Sequence, residues 1–324
     1  MKVGEDVLLN LIFLIIGFVV ILKASDVLVD SASSIAIKCH VPKMLIALTI
    51  VAFGTCAPEI AISFTSVSAG NGTIAFANVI GSCIVNVFLI IGLAAIVHPI
   101  KVKHETIKKE VPILFIITTS FSVLMLDSIF STSKHNVFSR ADGIILILLF
   151  LMFVTYLIQM LKKKPNTEEK VEAKYDSIPL CITLLILSII AISLSSDVIV
   201  NNATIIARHL NISEKIITMT AIVIGTSLPE MFMTVSSARK GEFDMAVGNI
   251  IGTNIFNVCI VLGLPIAIYG DISLSSFSFV DIFAVFLTSL DLYLFAKSER
   301  TISKTEGLIM LLIFATYYCS VLFF

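Results

Sequence analysis

Residues 53–59 read FGTCAPE and residues 224–230 read IGTSLPE, each inside a long apolar run. Proline has no N–H, and its ring clashes with the carbonyl four residues back. Helices through these stretches are therefore predicted to kink, with the carbonyls of Gly54 and Gly225 deprived of their usual partners. Freed backbone of this kind is tolerated in a bilayer only where it faces protein or a wet cavity. Glu59 and Glu230 follow at once, and a charge at the bilayer centre costs about 2.5–3.5 kcal/mol. A compensating cation or proton is expected at both.

Composition puts these runs in a bilayer. The 324 residues are 57% hydrophobic and 14% charged, with a mean hydropathy of +1.04, whereas soluble domains are about 45–50% apolar. A net charge of -1 suggests neither a nucleic-acid partner nor an acidic tail. The six cysteines lie mostly in apolar runs without metal-ligand spacing and read as small core residues, not a disulfide framework. The run from Val7 to Leu22 continues past Ala24 without a cleavage site, so it reads as a retained helix and not a signal peptide.

A crossing takes about 20 apolar residues. By that rule ten spans are predicted, over 7–35, 43–69, 72–98, 110–129, 141–161, 177–207, 214–239, 243–269, 276–296 and 305–324. The polar stretch from Lys162 to Asp176 reads as a solvated linker, too short to hold a regulatory domain. With the N-terminus outside, sixteen of the 22 basic residues fall on the inner side, from Lys38 and Lys43 to Arg300 and Lys304. The outer side keeps Lys2, Lys134, Arg140, Arg208 and Lys215. The bias predicts both termini outside and the linker in the cytoplasm.

Sliding the sequence by 171 residues lays Ser25 to Gly92 on Ser196 to Gly263 without a gap. Asp26 falls on Asp197, Gly70 on Gly241, Asn78 on Asn249, Gly81 on Gly252 and Asn86 on Asn257. Five spans per half is an odd number, so the second copy must enter the membrane from the opposite side. The expected fold is an all-α membrane protein of ten transmembrane helices in two inverted five-helix repeats. Residues 1–161 and 177–324 are the halves and 162–176 the link, a layout typical of secondary transporters with a site near the midplane.

Hard cations take oxygen from carboxylates, hydroxyls and carbonyls. Thr55 and Glu59 are four apart and share a helical face, as do Thr226 and Glu230. The third and eighth spans add Ser82 with Asn86 and Thr253 with Asn257, again four apart. Inverted symmetry would bring both sets to one centre.

These motifs resemble the calcium/cation antiporter superfamily, specifically its sodium/calcium exchanger branch of the prokaryotic type. The likeness is carried by the paired G-T-x-x-P-E and G-[ST]-x-x-x-N segments and extends, in span count and layout, over the whole chain. It implies Na+/Ca2+ antiport by alternating access in a prokaryotic plasma membrane, with the ions as substrates, no cofactor, no enzymatic activity and a monomer as working unit. It further implies Ca2+ held by Glu59 and Glu230, the Thr55 and Thr226 hydroxyls, and the carbonyls of Ala52 and Val223. Sodium sites would share the glutamates and add Cys56, Ser82, Asn86, Ser227, Thr253 and Asn257. Two departures stand out. Cys56 replaces the serine usual in relatives, and a thiol is a weak ligand for hard Na+. Asn257 stands where potassium-dependent relatives carry aspartate, which argues against K+ co-transport.

Asp26 and Asp197 could line a cavity or pair with neighbours such as Lys23. Asp30, Asp281 and Asp291 have no repeat partner of the same type and read as structural or interfacial. None of the five histidines lies near a motif. Proton/calcium exchange is the alternative within transport. An intramembrane enzyme would need a nucleophile with its base or a motif such as H-E-x-x-H, and neither is present.

Overall fold

The computed structural model describes residues 2–126, 136–162, 173–210, 224–274 and 277–323, with side chains placed from Leu8 to Val321. It is built of helices: α1 (Lys2–Lys38), α2 (Lys43–Thr55), α3 (Ala57–Ser68), α4 (Gly72–Val97), α5 (Glu110–Leu124), α6 (Arg140–Lys162), α7 (Ile178–His209), α8 (Leu228–Arg239), α9 (Phe243–Tyr269), α10 (Phe279–Ser298) and α11 (Lys304–Phe323). Six single helices, α1 over Leu8–Lys38 with α4, α6, α7, α9 and α10, are long and apolar enough to cross a membrane. The pair α2 and α3 passes the same test taken together, bent by 51° at the break between them. Residues 214–223 of the predicted seventh span, Val223 included, lie outside the described residues, as do 127–135 and most of the linker, 163–172.

Leucine, isoleucine and valine cover the outer faces of α1, α6 and α7, among them Leu8, Ile15, Leu148, Leu151, Leu187 and Leu194. Apolar surface on this scale needs an apolar solvent, and the chain is an integral, multi-pass membrane protein. The inner helices differ: α4 and α9 are mostly buried and carry the buried polar residues Asn78, Ser82, Asn86, Asn249, Thr253, Asn254 and Asn257.

Packing divides into two main bodies. One core is shared by α4, α5, α6, α9, α10 and α11, with Phe76, Phe88, Phe121, Phe138 and Phe153 fully buried in it. In the other, Ile21, Leu28 and Ala32 of α1 and Leu185 and Ile192 of α7 pack together and onto Ala47 and Val51 of α2 and Leu228 and Met233 of α8. The long helices α1 and α7 lie along each other and touch the bundle over a narrower strip.

Short antiparallel ribbons tie the two ends of the sequence together. β1 (Ile100–Lys101) pairs with β4 (Thr301–Ile302), and β2 (Val137–Phe138) pairs with β3 (Ile272–Ser273). Two close helix approaches follow the same exchange. A Cβ on Gly92 would come within 2.9 Å of the Gly307 carbonyl oxygen, and one on Gly143 within 2.8 Å of the Gly263 carbonyl oxygen. Small residues let backbones approach closely within membranes. Gly70 and Gly241, matched by the offset, end α3 and α8 at φ of 78° and 75°.

Candidate functional site

Both proline-containing stretches break their helices. Cys56 closes α2 at φ -73°, ψ 0° and Ser227 precedes α8 at φ -88°, ψ 5°, so each Pro-Glu pair opens a new helix. Glu59 and Glu230 therefore sit in a first helical turn, where the N-terminal end of the helix dipole favours a negative charge. Both are 0% exposed. The two carboxylates act on each other electrostatically. Each also approaches the hydroxyl of the other motif, Glu59 towards Thr226 and Glu230 towards Thr55, without completing a hydrogen bond. All four carboxylate oxygens lack a hydrogen-bond partner.

Other predicted residues, Val223 aside, contact one another between the two motifs and the inner helices. Thr55 donates to the Ala52 carbonyl oxygen at 3.2 Å, and Thr226 to Asn78 Oδ1 at 3.5 Å. Ser227 Oγ lies 3.5 Å from Ser82 Oγ, and Cys56 lies beside Thr253. Asn86, Thr253 and Asn257 are fully buried. Thr253 Oγ1, Asn86 Oδ1 and both polar atoms of Asn257 have no partner. Buried polar groups are normally satisfied, because an unmet one costs about 1–3 kcal/mol. These unmet oxygens, with two buried carboxylates, are of the kind a hard cation takes, six to eight in number for Ca2+. Among the described residues no three His, Cys, Asp or Glu converge, so the negative charge of this place is limited to the pair.

Several features were not foreseen. Widened π-helical turns occupy Ala47–Val51, Val85–Ile91 and Asn257–Leu262, just before the first break and at Asn86 and Asn257. Such turns re-aim side chains and recur at functional sites. Asn254 is fully buried and accepts a hydrogen bond from Asn86 Nδ2 at 2.9 Å. The spacing Thr253-Asn254 was visible, but nothing in one sequence distinguishes a ligand's partner from a filler of the helix.

Most of the other singled-out acidic residues have structural partners. Asp26 bonds Ser236 and Arg239 at 2.5 and 2.6 Å, not Lys23. Asp30 pairs with Lys240 at 2.6 Å and Lys174 at 2.5 Å, and its carboxylate raises the Lys174 ammonium above its ordinary pKa. Asp197 is exposed and unpaired among the described residues. Asp281 caps α10 with Ser278 and accepts from Tyr317 at 2.9 Å. Glu110, which the offset lays on Asp281, is held likewise by Tyr156, so the repeat reaches beyond its ungapped segment. The six cysteines are free. A cavity of about 1420 Å³ opens among Lys43, Lys101, Lys108, Glu110 and Tyr156, away from Glu59 and Glu230.

The profile of the sodium/calcium exchanger protein family matches residues 9–159 and 180–323. Sodium/calcium exchanger MaX1 of Methanosarcina acetivorans is 31% identical over an alignment of 343 residues, covering 95% of this chain and 97% of that protein. Inner membrane protein YrbG of Escherichia coli K12 is 34% identical over 266 residues, 80% of this chain and 79% of YrbG. Among solved structures, the sodium-calcium exchanger NCX_Mj soaked with Na+ and Sr2+ superposes with a TM-score of 0.82 at 28% identity, covering 97% of this chain and 99% of that one.

Proposed function

Because the chain belongs to the sodium/calcium exchanger protein family, in its prokaryotic branch, we propose that it exchanges Na+ for Ca2+ by alternating access at one centre built on Glu59 and Glu230. Membership makes it a cation antiporter and not an enzyme. The observation that carries the finer reading is the pair of fully buried carboxylates, close enough to act on each other electrostatically and without a hydrogen-bond partner. Like charges so placed repel unless a cation or a proton lies between them.

One Ca2+ is neutralised by the two glutamates, with oxygens from Thr55, Thr226 and the Ala52 and Val223 carbonyls completing its shell. Sodium ions use the same carboxylates together with Cys56, Ser82, Asn86, Ser227, Thr253 and Asn257. Neither ion species can hold the centre while the other does, and that competition couples their movements. Ten helices in two inverted halves, 1–161 and 177–324, joined by the cytoplasmic linker 162–176, place the centre near the midplane. The ribbons and glycine contacts exchanged between the halves support this repeat. Both termini face outward from a prokaryotic plasma membrane, and a single chain suffices. Access changes as α1 and α7 slide over the bundle, a motion favoured by the narrow strip over which they touch it. If more than two Na+ enter per Ca2+ leaving, each net charge gains about 2.3 kcal/mol per 100 mV.

Proteoliposomes loaded with radiolabelled Ca2+ test this. Efflux should rise with an inward Na+ gradient and respond to an imposed potential. Efflux that follows a proton gradient and ignores Na+ would replace sodium by protons as the coupling ion.

A further inference from the structure

The 171-residue offset relates contacts as well as residues, and at one place the relation breaks. Ser227 lies against Ser82, and the matched pair Cys56 and Thr253 lie together in the same way. Beside these, Asn86 Nδ2 donates to Asn254 Oδ1 at 2.9 Å. The positions that match this bond are Asn257 and Cys83. A thiol is a weak acceptor, and Cys83, although fully buried, takes no hydrogen bond from Asn257. Asn257 is left with neither polar atom partnered, while Asn86 has its nitrogen committed and only Oδ1 to spare.

We propose that Asn254 is a positioning residue for sodium, holding the Asn86 amide by its nitrogen so that its oxygen is fixed as a ligand. Cys83, at the matched place, leaves Asn257 unheld. The two amides are therefore unequal as sodium ligands, and Asn86 is the better ordered. This rests on the reading of the glutamate centre as a Na+ and Ca2+ site. The physical reason is the cost of fixing a rotor: an amide already locked by one bond loses less freedom when its oxygen takes an ion than one that must be ordered on binding.

Na+-driven efflux of radiolabelled Ca2+ from proteoliposomes, measured against graded Na+ and separately against graded Ca2+, tests the proposal. The variants are Asn254→Cys, Cys83→Asn and the exchange of both. Asn254→Cys should raise the half-saturating Na+ about fivefold, the factor one net hydrogen bond supplies, with half-saturating Ca2+ held within about twofold. Cys83→Asn should lower the half-saturating Na+, and the exchange variant should return towards the parent. Unchanged Na+ dependence in both single variants overturns the proposal. So does a parallel loss of Na+ and Ca2+ affinity, which a purely structural role would give. Should Asn254→Cys fail to fold, Cys83→Asn decides alone, and no fall in half-saturating Na+ overturns the proposal. Parent efflux that ignores Na+ overturns the sodium reading and this inference together, whereas a sodium-coupled parent with unmoved variants overturns only this inference.

Discussion

At Glu59 and Glu230 burial and repulsion act in the same direction, against two charges in one place. Glu59→Gln or Glu230→Gln relieves both. In protein stripped of cations by chelator and dialysis, either variant should melt higher than the parent in a fluorescence scan. Ca2+ at about 100 times its Kd should add about 2.7 kcal/mol to the parent and almost nothing to the variants. Their Ca2+ transport should fall at least about a hundredfold, the loss expected when a buried charged contact of about 3 kcal/mol is removed. A variant that still gains from Ca2+ would contradict a shared cage. Cys56 offers the converse test. Cys56→Ser supplies a hard oxygen where the matched position already has Ser227, and half-saturating Na+ should drop by about threefold in flux assays. The charged and hydroxyl residues of this centre were legible in the sequence because each is costly in a bilayer and each occurs twice. Asn254 was not, because its role depends on a contact between helices that no spacing within one helix encodes.

Among the elements, the breaks at Cys56 and Ser227 were readable because proline leaves the backbone no alternative. The π-helical turns were not, since apart from Asn86 and Asn257 the stretches Val85–Ile91 and Asn257–Leu262 hold apolar residues that any helix would accept, and packing against neighbours leaves no mark within one helix. One such neighbour relation is the fit of α9 on α2: a Cβ on Gly252 would meet the Leu48 carbonyl oxygen at 2.9 Å and the Ala52 Cβ at 2.8 Å. Gly252→Val should cost about 1–3 kcal/mol in thermal unfolding and weaken Ca2+ binding by displacing the Ala52 carbonyl, both measurable on purified protein. The ties between α1 and α8 are of another kind. Asp26 with Arg239 and Asp30 with Lys240 join the two helices, whereas the offset puts Ser68 and Ala69 where the other half would need basic residues to meet Asp197. The groups are partly exposed, so a double-mutant cycle on Asp26→Asn and Arg239→Ala should give a coupling of at most about 1 kcal/mol. Transport by Arg239→Ala should persist, with its rate moved less than about fivefold.

For the molecule as a whole, composition and the 171-residue offset were enough to predict a helical membrane protein. Arg140–Lys162, Phe243–Tyr269 and Gly72–Val97 fall within a residue of their predicted bounds. The division into two packed bodies was hidden, because Ile21 and Leu185 look no different in sequence from the residues of the larger core. Also hidden were the ribbons, each only two residues long per strand. These ribbons have a consequence for how the chain can be made. β1 finds its mate in β4 and β2 in β3, and Gly92 seats against Gly307 as Gly143 does against Gly263, so the strongest handholds of either half belong to the other. Covalent continuity between residues 162 and 177 should then be dispensable for assembly. Two separately translated fragments, 1–166 and 167–324, should co-purify and dock in register when produced in one cell, while either fragment alone should aggregate or be degraded.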